Sequence, residues 1–122
     1  MIYETMYEKL MQIAPAIRNK DYLKLKSPGF MDFNIDVLER NTKNNFLKLA
    51  LSHYYKHPRG DLIPDPDMEV LVDLEKKTVK PLSYQDSHRY QTINEGRVIE
   101  SGLSIFLNIW LTNLTQQGHQ VQ

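Results

Sequence analysis

The stretch MDFNIDV, residues 31–37, sets Met31, Phe33, Ile35 and Val37 in alternation with Asp32, Asn34 and Asp36. A two-residue period of apolar and polar side chains belongs to a strand with one buried and one solvated face. The same period returns downstream. After the turn formers Asn41, Thr42, Lys43, Asn44 and Asn45, the residues Leu47, Leu49 and Leu51 alternate with Lys48, Ala50 and Ser52, which closes a hairpin. Met68, Val70, Val72 and Leu74 then alternate with Glu69, Leu71 and Asp73. The charged turn Glu75-Lys76-Lys77 leads from there into Val79–Tyr84, a second hairpin. Pro81 lacks an N–H, so that last strand is expected to be an edge or to carry a bulge, with the edge preferred.

Outside this block the period changes. Tyr3, Met6, Tyr7, Leu10, Ile13 and Ala14 recur at three- and four-residue spacing, which predicts a helix from Ile2 to about Ile13, stopped by Pro15. Residues 16–29 mix basic and apolar side chains up to the turn Ser27-Pro28-Gly29 and leave room for a short second helix. From Val98 to Gln117, Ile99, Leu103, Phe106, Ile109, Trp110 and Leu114 follow a 3.6-residue period, and Gly118 stands where a helix C′ residue is expected. The prolines, aspartates and Gly60 of His57–Asp67 predict a loop. Strands and helices are thus segregated along the chain, which predicts an α+β fold: one domain, residues 1–122, with an antiparallel sheet of about four strands packed against N-terminal and C-terminal helices.

Composition narrows the function. Fifteen basic and fifteen acidic residues leave no net charge, so no global field draws in nucleic acid or an anionic membrane. The absence of cysteine excludes disulfides and thiolate chemistry and suits a reducing cytoplasm, the expected location. Glu4 and Glu8 interrupt the apolar N-terminal stretch, unlike a secretory signal, and no run is long enough to span a bilayer.

The chain also resembles the YqiB-like family, small bacterial domains of unknown function with related forms on plasmids and phages. The likeness lies in YEKLMQIAP (7–15), GDLIPDPDMEVLVDLEKK (60–77) and IFLNIWLTNLTQQGH (105–119). It implies a leucine-rich helix before a sheet, a proline–aspartate loop opening a strand, and a closing helix that carries the tryptophan. Where such relatives often have a histidine-containing turn, this chain has Asp73, Leu74, Glu75 and Lys76, so no histidine role carries over.

Two clusters stand out as binding candidates. Tyr54, Tyr55, Lys56, His57 and Arg59, with the adjoining Asp61, Asp65 and Asp67, gather rings and charges at a strand end. Tyr84, His88, Arg89 and Tyr90 form a similar group. Rings can stack on bases while cations meet phosphates; the plainer reading packs the tyrosine rings on the core. Asp61, Asp65, Asp67 and Glu69 could attract a hard cation, but they lack the register of a calcium loop, so no metal or other cofactor is expected. Neither His53, His57, His88 and His119 nor the serines fall in a catalytic spacing, and the histidines are expected to be solvated or capping. His119 in particular reads as a cation beside a helix C-terminus. The expected function is therefore a non-catalytic binding domain whose partner is a protein. The first alternative is a nucleic-acid-binding accessory protein of a phage or mobile element. The second is a metal-dependent enzyme built on His53/His57 and Asp61/Asp65/Asp67. A homodimer through an exposed edge beside Pro81 is a further expectation.

Overall fold

The computed structural model describes residues 1–56, 58–60 and 62–122, with the backbone alone described at 55, 56 and 62–64. Helix α1 (Ile2–Ile13) and a single 3-10 turn (Pro15–Arg18) precede a run of strands: β1 (Tyr22–Lys26), β2 (Phe33–Asn41), β3 (Phe46–Lys56), β4 (Leu62–Asp73), β5 (Thr78–Gln85) and β6 (Tyr90–Thr92). Helix α2 (Arg97–Gln116) and the two-residue β7 (Gln120–Val121) close the chain. Among the described residues the sheet has seven strands in the order β6-β5-β4-β3-β2-β1-β7, every pair antiparallel. β1 to β6 form a meander; α2 then returns across the sheet, so that β7 lands on the far edge beside β1.

Alternation in the strands becomes apolar rows across the sheet. Leu23, Ile35, Leu51, Met68 and Tyr84 stand side by side on consecutive strands, as do Val37, Leu49, Val70 and Pro81. Both helices cover this face. α1 buries Met6, Tyr7 and Leu10; α2 buries Leu103, Leu107, Trp110, Leu111 and Leu114. The helices are pinned to each other by Tyr3 Oη donating to Glu100 Oε2 at 2.6 Å, and by Lys9 Nζ donating to Asn108 Oδ1 at 2.7 Å and Thr112 Oγ1 at 2.8 Å. Among the described residues, no helix lies on the opposite face of the sheet.

The α+β class and the terminal helices agree with the sequence; the strand number does not. β1 was masked by its lysines: YLKLK buries only Leu23 and Leu25, too short a run to separate from a basic turn. β6 and β7, at three and two residues, carry no readable period. In place of a short second helix, one 3-10 turn occupies Pro15–Arg18. The expected loop His57–Asp67 is corrected as well, since β4 already begins at Leu62, although His57 and Asp61 themselves lie outside the described residues. Proline is tolerated there because β5 ends at Gln85, opposite Asp67, leaving the start of β4 without a neighbour on that side, and because the register with β3 shifts between Ser52 and Tyr54. Pro81 meets both halves of its expectation. β6 pairs only with Ser83–Gln85, so β5 is an edge at Pro81, and the β4 register shifts between Glu69 and Val70.

Candidate binding surface on the open face of the sheet

The uncovered face is built from the alternate positions of the same strands. Two neighbouring rows cross it: Lys24, Asn34, Ser52, Asp67 and Gln85, and beside them Tyr22, Asp36, Ala50, Glu69 and Ser83. Ala50 and Ser52 are small, so the middle of the face is low. Around it stand Asp36, Asp67 and Glu69, with the exposed rings of Tyr22 and Tyr54 at one side. Tyr22 Oη donates to Asn34 Oδ1 at 2.7 Å, and Asn34 and Ser52 are buried although no helix lies over them.

Burial dominates the electrostatics of this depression. It pushes the Asp36 carboxyl above its ordinary value. It does the same at Asp67, where the neighbouring charges of Glu69 and Asp36 push further in the same direction. The Tyr22 hydroxyl is raised by burial first and then by Asp36 and Tyr54, which also places Tyr54 beside it. Glu69 is compensated by Lys48 at 3.4 Å. Asp67 is not: its Oδ1 is buried and has no hydrogen-bond partner among the described residues. An acceptor shielded from water and left unbonded costs free energy, on the order of 1–3 kcal/mol, which an outside donor recovers once a shift of the Asp67 side chain exposes the oxygen. Chemically the surface is an acceptor site flanked by rings, suited to an ammonium, guanidinium or amide.

The residues singled out in the sequence divide between the two faces. Tyr54 and Asp67 belong to the open face. Arg59 is exposed next to Gly60, and Asp65 is partly buried at the start of β4. The backbones of Tyr55 and Lys56 pair with Ile63 and Leu62, their side chains lying outside the description along with His57 and Asp61. Tyr84 is on the other side, its ring edge-on to Phe106 under α2 at 5.2 Å between centroids. Its hydroxyl, pushed up to about 12 by burial and by its hydrogen bond to Asp86, donates to Asp86 Oδ2 at 2.8 Å. Asp86 also accepts from the backbone N–H groups of His88 and Arg89, and the Arg89 guanidinium lies 5.5 Å from the Tyr84 ring centre. His88 and Tyr90 are exposed at that turn. Tyr54 and Tyr84 therefore do not share a patch, because their side chains leave opposite faces of the sheet.

His53 and Asp67 are separated in the same way. Ser52, not His53, pairs with Asp67, and His53 points under the helices. Trp110 Nε1–H donates to His53 Nε2 at 2.9 Å, so His53 Nδ1 carries the proton and donates to the Asp32 carbonyl at 2.8 Å. Both ring nitrogens are occupied, and burial lowers the His53 pKa below the ordinary histidine value. The expectation of solvated or capping histidines fails here and at His119. His119 is 4% exposed and donates from Nε2 to the Met31 carbonyl at 2.9 Å, as a buried clasp between the chain end and the start of β2. No group of three or more histidine, aspartate or glutamate side chains among the described residues could hold a metal ion. A groove of about 600 Å³ between α1 and the β4–β5 turn, lined by Glu4, Tyr7, Glu8, Arg18, Lys76 and Lys77, gathers no nucleophile and base.

Sequence reasoning missed Tyr22, Asn34, Asp36 and Ser52 as site members, and weighed Glu69 only as a cation ligand. The alternation marked most of them as outward-facing, but nothing in one strand says which outward residues of the next will stand beside them.

A family model described as a domain of unknown function matches residues 5–120. The match is to an uncharacterised domain family and carries no statement about YqiB-like proteins or a phage or bacterial source. No curated protein and no solved structure matches the chain. Among the described residues no helix is long and apolar enough to cross a membrane.

Proposed function

This chain belongs to the DUF6908 family of domains of unknown function, and from that premise we propose that it is a non-catalytic protein-binding module whose open sheet face receives a basic side chain of its partner. The observation that carries the reading is Asp67. Its Oδ1 is buried without a partner among the described residues, on the face that the helices leave bare and that also carries the exposed rings of Tyr22 and Tyr54. A lysine or arginine from another protein, admitted by a shift of the Asp67 side chain, would supply the missing donor and favour the ionised form of Asp67, with the exposed rings of the same face burying its aliphatic stem. Tyrosine and a central polar contact are the usual means by which such surfaces select partners. Asp36, Asp67 and Glu69 on the same face repel phosphate, which weighs against nucleic acid as the occupant. His53, held on both nitrogens and on the other side of the sheet, weighs against the enzyme reading.

Affinity capture from extract of the native host tests this. The wild-type chain and the variant Tyr22→Ala/Tyr54→Ala/Asp67→Ala are immobilised side by side after nuclease treatment. A protein retained by the first and lost from the second is the expected result. Equal retention on both, or binding that disappears with the nuclease, overturns the proposal.

A further inference from the structure

A different surface carries a separate inference. α2 has twenty residues, of which only Arg97 and Glu100 are charged. Glu100 is turned toward α1 and β5, accepting from Tyr3 Oη and lying 3.9 Å from Lys80. The outer side of the helix is therefore uncharged from Val98 to its end, yet Val98 is 85% exposed, Ile105 58% and Ile109 55%. A solvated helix ordinarily carries its charges on that side.

The spacing on this side is specific. Val98, Gly102, Ile105, Ile109, Thr112 and Gln116 follow one another at intervals of four, three, four, three and four residues. That is the seam of two packed helices, whose period is 3.5. At Gly102 an added Cβ would meet nothing within 4 Å, so the seam is open and low at that point. A pocket lined by Tyr84, Arg89, Val98, Gly102 and Phe106 adjoins it.

We infer that α2 is a homodimer interface, in which a second copy of this chain lays its own α2 antiparallel along this seam. Three features favour a second copy. The α2 residues of the seam are themselves uncharged and face their own copies without like-charge repulsion, as an isologous contact requires, while Lys9, bonded to Thr112 Oγ1, and Arg89, beside Gly102, lie at its flanks. Full antiparallel overlap stacks Ile105 on Ile109 of the second copy, twice about the dyad, and sets Gly102 against the small Thr112. It also brings Arg97 of each copy to the last turn of the other's α2, which has no basic residue of its own to answer the negative end of the helix dipole. The sheet edges offer less: β6 and β7 are three and two residues long, and Lys80 and Pro81 blunt β5 where it is uncovered.

The register makes the test sharp. Sedimentation equilibrium of the full chain is expected to give twice the 14.4 kDa chain mass. Ile105→Glu and Ile109→Lys, both at exposed positions and both checked for an unchanged far-ultraviolet circular dichroism spectrum, are each expected to give the single mass. Mixed in equal amounts, the two variants are expected to return to the double mass, because Glu at 105 of one then faces Lys at 109 of the other. A wild-type chain of single mass overturns the inference. So do variants that stay dimeric, or a mixture that stays monomeric. The open-face triple variant should remain dimeric, which keeps this result separate from the partner-binding one.

Discussion

Trp110 and His53 show how much one buried polar contact organises. Trp110 is 7% exposed; its ring meets Phe33 edge-on at 5.2 Å and its N–H is spent on His53. Trp110→Ala is expected to cost about 3–5 kcal/mol, read as a lower urea midpoint at unchanged slope. His53 sets a pH dependence. Its folded-state proton affinity is lowered, mainly by burial, so below the ordinary value of about 6.5 the unfolded chain binds a proton that the folded chain resists. The corresponding stability is fully present above that pH and declines as pH falls through it toward the lower folded value. The urea midpoint should drop over that range, and His53→Gln should flatten the drop. Asp67 has the opposite sign. Its raised carboxyl favours the folded state at low pH, and this contribution is lost as pH rises through its folded value. Asp67→Asn is therefore expected to raise the thermal midpoint at neutral pH while weakening partner capture, a stability gained at the expense of a binding site.

Among the elements, both helices were legible because each is long enough for its period to repeat, and α2 ends where Gly118 was expected to stop it. Gly118 has φ +80, and the chain beyond it turns back to place His119 and β7. A Cβ there would lie 3.9 Å from Ser27 Oγ, an ordinary contact, so Gly118→Ala costs only the left-handed backbone. That is about 1–2 kcal/mol, measurable by thermal unfolding. The long strands β2 to β5 were equally readable, down to the edge-or-bulge condition at Pro81. β1 was not, since two leucines between lysines make a weak signal until Leu23 and Leu25 find Ile35 and Phe33 opposite them. The start of β4 was hidden for the reverse reason. Its prolines argue against a strand in general, whereas this strand is unpaired on one side exactly where they fall short of a donor.

For the molecule as a whole, the sheet separates two kinds of surface. One side is a core roofed by α1 and α2; the other is a bare polar face with a shielded acceptor at its centre. A basic partner on that face should leave more readily as salt rises, though by less than a phosphate-binding surface would lose, because a single charged contact is involved. The α2 seam, by contrast, is centred on Ile105 and Ile109 and should lose little beyond the Arg97 contact as salt rises; sedimentation at low and high ionic strength distinguishes the two contacts.

Periodicity alone was enough for the α+β class, the two helices and the inward residues of the long strands, because burial of one face is a local property that each segment carries in its own alternation. Tyr54 and Asp67 were singled out by residue type, not by period. Which outward residues share a face is not local. It depends on strand order, register and bulges, and these put Tyr22, Asp36, Asp67 and Glu69 together, sent Tyr84 and His53 to the opposite side, and left the outer side of α2 bare.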